Sequence, residues 1–214
     1  MNTINISPSV LALKDNPESW DNRILELPIA LSGVHFDIGD GEFVPSLMLS
    51  PDDLSYLNSE LPVDVHLMVK RPSEYFEKIL SFPSVQAVAF HIECDEDIHE
   101  TIQTLKNSGK KVGLAILDTT PADHLAPYIL EIDYVLVMTV KGGYSGTPFI
   151  PEVLPKISEI HNKRPELPII VDGGIGESTL PFCLEAGATG AVMSSALFSG
   201  KSLDWLKEYV SSEG

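Results

Sequence analysis

Eight short apolar runs, each followed by a stretch of helical character, constrain this chain more than any other feature. The runs fall at 4–9, 33–38, 63–68, 85–91, 111–117, 134–139, 169–171 and 190–193. Helical stretches follow at 18–27, near 52–57, from Pro72, at 97–107, around 122–129, at 150–161, at 179–186 and at 203–210. Proline is tolerated in the first turn at Pro72 because that N–H has no intrahelical partner. Runs such as 85–90 and 134–138 are apolar on both faces, as strands of a parallel sheet covered by helices must be. Eight strand–helix pairs in 214 residues predict one (β/α)8 TIM barrel domain over 1–214, slightly under the ~250 residues typical of that fold. A doubly wound open sheet is the alternative, but it places its phosphate glycines after the first strand. Here the glycines cluster after the sixth and seventh runs, with a serine pair after the eighth.

Charge and cysteine content narrow the partners. A formal charge of −17 argues against nucleic acid, whose phosphates need a basic surface. Two cysteines, Cys94 and Cys183, make no disulfide framework and fit a reducing compartment. No basic-then-apolar leader opens the sequence and no apolar run is long enough to cross a bilayer. A cytoplasmic protein with no membrane partner is expected.

The chemistry concentrates where strands end. In Val34-His-Phe-Asp-Ile-Gly-Asp-Gly41, His35 and Asp37 are two residues apart and point from one face of a strand. Val63-Asp-Val-His-Leu-Met68 places His66 and Met68 in the same way; Met138 and Asp172 close two further strands. Each alone has an ordinary reading: a hydrogen-bonded core histidine, a turn-capping aspartate, a core methionine. Together they converge on one barrel mouth, the C-terminal face where such folds carry their sites. Two imidazoles and two carboxylates suit one divalent metal. Zinc, manganese, iron and cobalt all qualify, with zinc favoured, and open positions remain for substrate oxygens.

A second cluster points to an anion. Gly142-Gly-Tyr-Ser-Gly146 follows the sixth strand, Gly173-Gly174 the seventh and Ser194-Ser195 the eighth. Barrels bind phosphate with backbone N–H groups of such loops. Any one of these loops is an ordinary turn; three neighbouring ones shift the balance towards a phosphate site.

Taken in order, these motifs resemble the ribulose-phosphate 3-epimerase family from about Ile4 to Phe198. The resemblance is carried by Ile6-Ser-Pro-Ser9, His35-Phe-Asp-Ile-Gly-Asp-Gly-Glu-Phe-Val-Pro45, Asp64-Val-His-Leu-Met68, Val137-Met-Thr-Val140 and Val171-Asp-Gly-Gly-Ile175. It implies a metal-dependent ketose-phosphate 3-epimerase, most directly of D-ribulose 5-phosphate to D-xylulose 5-phosphate, acting through a metal-stabilised enediolate. His35, Asp37, His66 and Asp172 would hold the metal, and Asp37 and Asp172 would be the acid–base pair. Ser9 and His66 would contact substrate, and Met68 and Met138 would line the pocket. Gly143, Tyr144, Ser145, Gly146, Gly173, Gly174, Ser194 and Ser195 would grip phosphate. Homo-oligomers are common among such relatives.

Three departures qualify that picture. Gly39 stands where the family usually has methionine, and its loss is expected to open the pocket beside the second strand. Ser145 and Ser194 replace glycines, which matters wherever a positive φ is required. These changes keep open an epimerase of another pentulose or hexulose phosphate, and, from a different class, a non-catalytic sugar-phosphate-binding barrel. A related decarboxylase or aldolase fits poorly, because Asp64 is followed by His66 rather than by Lys in an Asp-x-Lys run.

Overall fold

A computed structural model describes residues 3–46, 48–58, 60–142 and 147–210. Its eight parallel strands are β1 (Asn5–Pro8), β2 (Val34–Gly39), β3 (Val63–Met68), β4 (Val85–His91), β5 (Lys111–Ile116), β6 (Tyr134–Met138), β7 (Ile169–Asp172) and β8 (Gly190–Met193). They pair in the order β1-β8-β7-β6-β5-β4-β3-β2. A parallel bridge from Ser9 to His35 joins the two ends and closes the cylinder. The expected (β/α)8 barrel is present.

Alternation along the strands sorts side chains into two populations. Phe36, Ile38, Val65, Leu67, Val88, Phe90, Val135 and Val137 face outward into the main core, shared with helix residues such as Phe76, Ile79, Ile102, Leu105 and Ile157. Each full burial of this kind contributes about 1.5–3 kcal/mol. The residues between them face inward. Ala89, Ala115, Tyr134, Leu136 and Val192 fill part of the barrel, and His35, Asp37, His66 and His91 are buried on the same inward face. Gly113 provides space here. A Cβ on it would sit 2.3 Å from the Tyr134 ring, so its absence lets that tyrosine lie across the barrel.

The covering helices are α1 (Trp20–Leu25), α2 (Ser73–Leu80), α3 (Ile98–Asn107), α4 (Leu154–Lys163), α5 (Leu180–Ala186) and α6 (Ser195–Phe198). Ile98, Ile102 and Leu105 of α3 are buried at helical spacing, and its N-terminus is capped by Asp97, which accepts from Glu100 N at 2.9 Å. Three expected helices are single 3-10 segments: Pro51–Tyr56, Ala122–Leu125 and Asp204–Glu208. Such short pieces are where the tighter i→i+3 turn is commonly used. The short α6 occupies Ser195–Phe198, where the sequence reads as loop. No helix among the described residues is long and apolar enough to cross a membrane.

Candidate metal centre and active site

Strand pairing brings four ligating side chains together. Asp37 is in register with His66 across β2 and β3, and Met138 with Asp172 across β6 and β7. His35 is the second residue of β2, before the strand's end. The stagger of the barrel nevertheless sets it level with Ser9, just past β1. One ligand atom from each of His35, Asp37, His66 and Asp172 lies within 4.8 Å of the other three.

The distances suit a single ion. His35 Nε2 is 3.2 Å from Asp37 Oδ1 and 3.7 Å from Asp172 Oδ2; His66 Nδ1 is 3.4 Å from each of the same two oxygens. Ligands bound at ~2 Å in a tetrahedron stand about 3.3 Å apart. His35 Nε2 and His66 Nδ1, the two nitrogens that face these carboxylates, are buried with no hydrogen-bond partner, a costly arrangement unless something binds them. The residues present fit a divalent cation.

The ionisation states follow from crowding. Burial pushes the His35 imidazole down, but the carboxylates of Asp37, Asp172 and Asp64 together outweigh it and raise it to about 9. Burial likewise pushes Asp37 up, yet His35 and His66 hold its carboxyl well below the usual carboxylate range. Asp37 is also oriented from behind by Ser9, whose Oγ donates to Oδ2 at 2.6 Å.

Several residues supporting this centre escaped the sequence reading. His66 Nε2 lies 2.9 Å from His91 Nε2, and His91 Nδ1 lies 3.1 Å from Glu93 Oε2. Burial lowers the affinity of His91 for a second proton. Glu93, despite its burial, is held below its ordinary value, with His91 the largest favourable partner. A neutral His91 beside a carboxylate donates from Nδ1 and accepts at Nε2. His66 therefore donates from Nε2. Burial lowers its affinity for a proton, but Asp172 and Asp37 beside Nδ1 outweigh burial and raise it, so a cation would take the Nδ1 lone pair in place of a proton. Glu93 is itself fixed by Leu117 N at 2.9 Å. Behind His35, Asp64 Oδ2 stands 3.9 Å from Nδ1, and Tyr134 donates to Asp64 Oδ1 at 2.5 Å. His91-Ile-Glu93 has the two-residue spacing of His35-Phe-Asp37, and that was the available signal.

Above the cluster lies a cavity of about 390 Å³ lined by Ser9, Asp37, Met68, Met138, Asp172, Gly173, Gly174, Ser194 and Ser195, all anticipated from sequence. His35 and His66 sit beneath it, fully buried. Met48 also lines it, and this corrects the expectation about Gly39. The pocket does not open beside β2, because a Cβ on Gly39 would meet Met48 Cγ at 3.0 Å. A second cavity of about 420 Å³ adjoins through Asp172, Gly173, Gly174, Ser194 and Ser195, and Lys201 brings a cation to its wall. Gly173 and Gly174 adopt φ of +108° and +66°, values that favour glycine. Ser194 has φ −120°, so a side chain is accommodated there. Gly143, Tyr144, Ser145 and Gly146 lie outside the described residues.

Comparison with known proteins agrees with this geometry. Residues 5–198 match the model of the ribulose-phosphate 3 epimerase family. The chain is 41% identical over 173 residues to a ribulose-phosphate 3-epimerase of Treponema pallidum, covering 78% of this chain and 79% of that one. It is 37% identical over 200 residues to the cytoplasmic isoform of Oryza sativa, covering 90% and 86%. In fold alone it is similar to the tryptophan synthase A-subunit of Pyrococcus furiosus, with TM-score 0.65, 13% identity and coverage of 97% and 95%. The chain belongs to the ribulose-phosphate 3-epimerase family, a family of isomerases.

Proposed function

We propose that this protein is a cytoplasmic, metal-dependent 3-epimerase that interconverts D-ribulose 5-phosphate and D-xylulose 5-phosphate. The observation that carries the reading is the convergence of four ligand atoms within 4.8 Å, two of them carboxylate oxygens of residues that also line the cavity. The names of the Treponema and Oryza relatives supply the substrate, and the Oryza isoform the compartment.

Asp37 and Asp172 come from β2 and β7, strands that are not neighbours in the sheet. Either carboxylate takes the proton at C3 while the other, as the carboxylic acid, delivers one to the opposite face, so configuration inverts. His35, Asp37, His66 and Asp172 would hold the ion. When bound, a divalent cation supplies Lewis-acid stabilisation of the oxyanion that develops as the proton leaves. Ser9 keeps the Asp37 carboxylate turned into the site. The methionine wall keeps water from the carbon being deprotonated. The phosphate is read into the adjoining cavity, against Gly173, Gly174, Ser194 and Ser195, with Lys201 contributing charge. A pentulose phosphate suits the pocket better than a larger sugar, because Met48 fills the space that Gly39 alone would leave.

Turnover in deuterated water tests the reading. Deuterium should enter C3 of D-xylulose 5-phosphate, and Asp37→Asn and Asp172→Asn should each lower turnover by about 10³-fold or more with the far-ultraviolet spectrum unchanged. Product formed with unlabelled C3, or near-normal turnover in either variant, would remove the two-aspartate mechanism.

A further inference from the structure

We infer that Met48 is a specificity-determining residue of the substrate pocket, and that Gly39 is present to admit it. The inference rests on the epimerase reading above, since it assigns a wall to that reading's substrate pocket.

Gly39 ends β2 in regular register with Met68, and it is not among the glycines with positive φ. Conformational freedom is therefore not the reason for a glycine here. Space is the reason. The chain after β2 returns alongside the same strand: Leu49 N donates to Asp37 O at 3.1 Å, and Leu49 forms a parallel bridge with Ile38. This return lays Met48 over Gly39 on the inward face, the face that also carries Asp37 and His35. A Cβ at position 39 would lie 3.0 Å from Met48 Cγ, 3.0 Å from Ser46 O and 3.4 Å from Met48 Cβ. A side chain at 39 and methionine at 48 therefore compete for one space.

The space matters because of what borders it. Met48, Met68 and Met138 line the same cavity as Asp37 and Asp172. Three flexible, polarisable thioethers make an apolar wall that follows the carbon skeleton of a substrate. Two of them are fixed on strands β3 and β6. The third is delivered by a returning loop, so it sets how much room the β2 side leaves.

A four-protein cycle tests this: wild type, Met48→Ala, Gly39→Met and the double variant. Met48→Ala should lower kcat/KM for D-ribulose 5-phosphate about tenfold. It should also narrow the preference for that substrate over a hexulose 6-phosphate, with zinc affinity unchanged. Gly39→Met should lower both turnover and melting temperature, and adding Met48→Ala should recover part of both losses. Unchanged kcat/KM and unchanged preference in Met48→Ala would overturn the specificity role. A double variant no better than Gly39→Met in melting temperature would overturn the pairing. Wild-type protein inert towards D-ribulose 5-phosphate would instead sink the epimerase reading, and the melting temperatures would still decide the pairing.

Discussion

The two sides of the barrel mouth are built on different principles. On the β2–β3 side, His35, Asp37 and His66 are buried on strands, with Asp37 held by Ser9 and His66 by the His91–Glu93 pair through hydrogen bonds. On the β7–β8 side, Asp172 is half-buried, and the lining comes from glycines at positive φ and from serines that begin a one-turn helix. The first side places charged groups at fixed distances. The second offers backbone and small side chains around a cavity. Preorganisation of ligand atoms needs the rigidity of a sheet, whereas close approach to an anion needs the absence of side chains.

Even within the first side the two histidines differ. His66 is set from behind by a hydrogen-bonded pair that ends on a carboxylate. His35 has Asp64 nearby at 3.9 Å, with no hydrogen bond to either of its nitrogens. The largest expected effect sharpens this contrast. Glu93→Gln removes the charge that keeps His91 donating from Nδ1, and should weaken zinc binding about 10–100-fold by chelator competition. An affinity equal to wild type would mean that His66 needs no support from behind.

On the opposite side the effect should fall on stability rather than on metal. Gly173→Ala would place a Cβ 2.3 Å from Val140 Cγ2 at a φ of +108°. It should cost about 1–3 kcal/mol in urea unfolding of the metal-free protein. Zinc affinity that falls as far as in Glu93→Gln would erase the distinction between the two sides.

The smallest effect is a matter of protons. His35 is raised to about 9 by its carboxylate neighbours. In metal-free protein its contribution to stability is complete below its ordinary value of 6.5 and is lost as pH rises through about 9. Zinc takes neutral imidazole, so loading near pH 7.5 should expel close to one proton from this residue. Binding heats measured in Tris and in HEPES should therefore differ; equal heats would contradict the protonated state.

Much of the first side was legible in the sequence, because a period of two puts His35 with Asp37 and His66 with Met68 without any knowledge of tertiary structure. Asp172 was legible from its place between an apolar run and a glycine pair. Met48 was not, since nothing local says that the chain after β2 turns back along its own strand. Tyr134 was hidden for a similar reason: its reach to Asp64 depends on Gly113 of the neighbouring strand. The three 3-10 segments look like helices in the sequence because an acidic residue in the first turn, such as Asp52, Asp123 or Asp204, marks both kinds of helix equally.

Turnover of D-ribulose 5-phosphate by protein stripped of metal and then restored with zinc decides whether His35, Asp37, His66 and Asp172 form the metal centre on which activity depends. Turnover should be lost on stripping, should recover on addition of about one equivalent, and should not recover in His66→Ala. Full activity in the stripped protein would contradict that dependence.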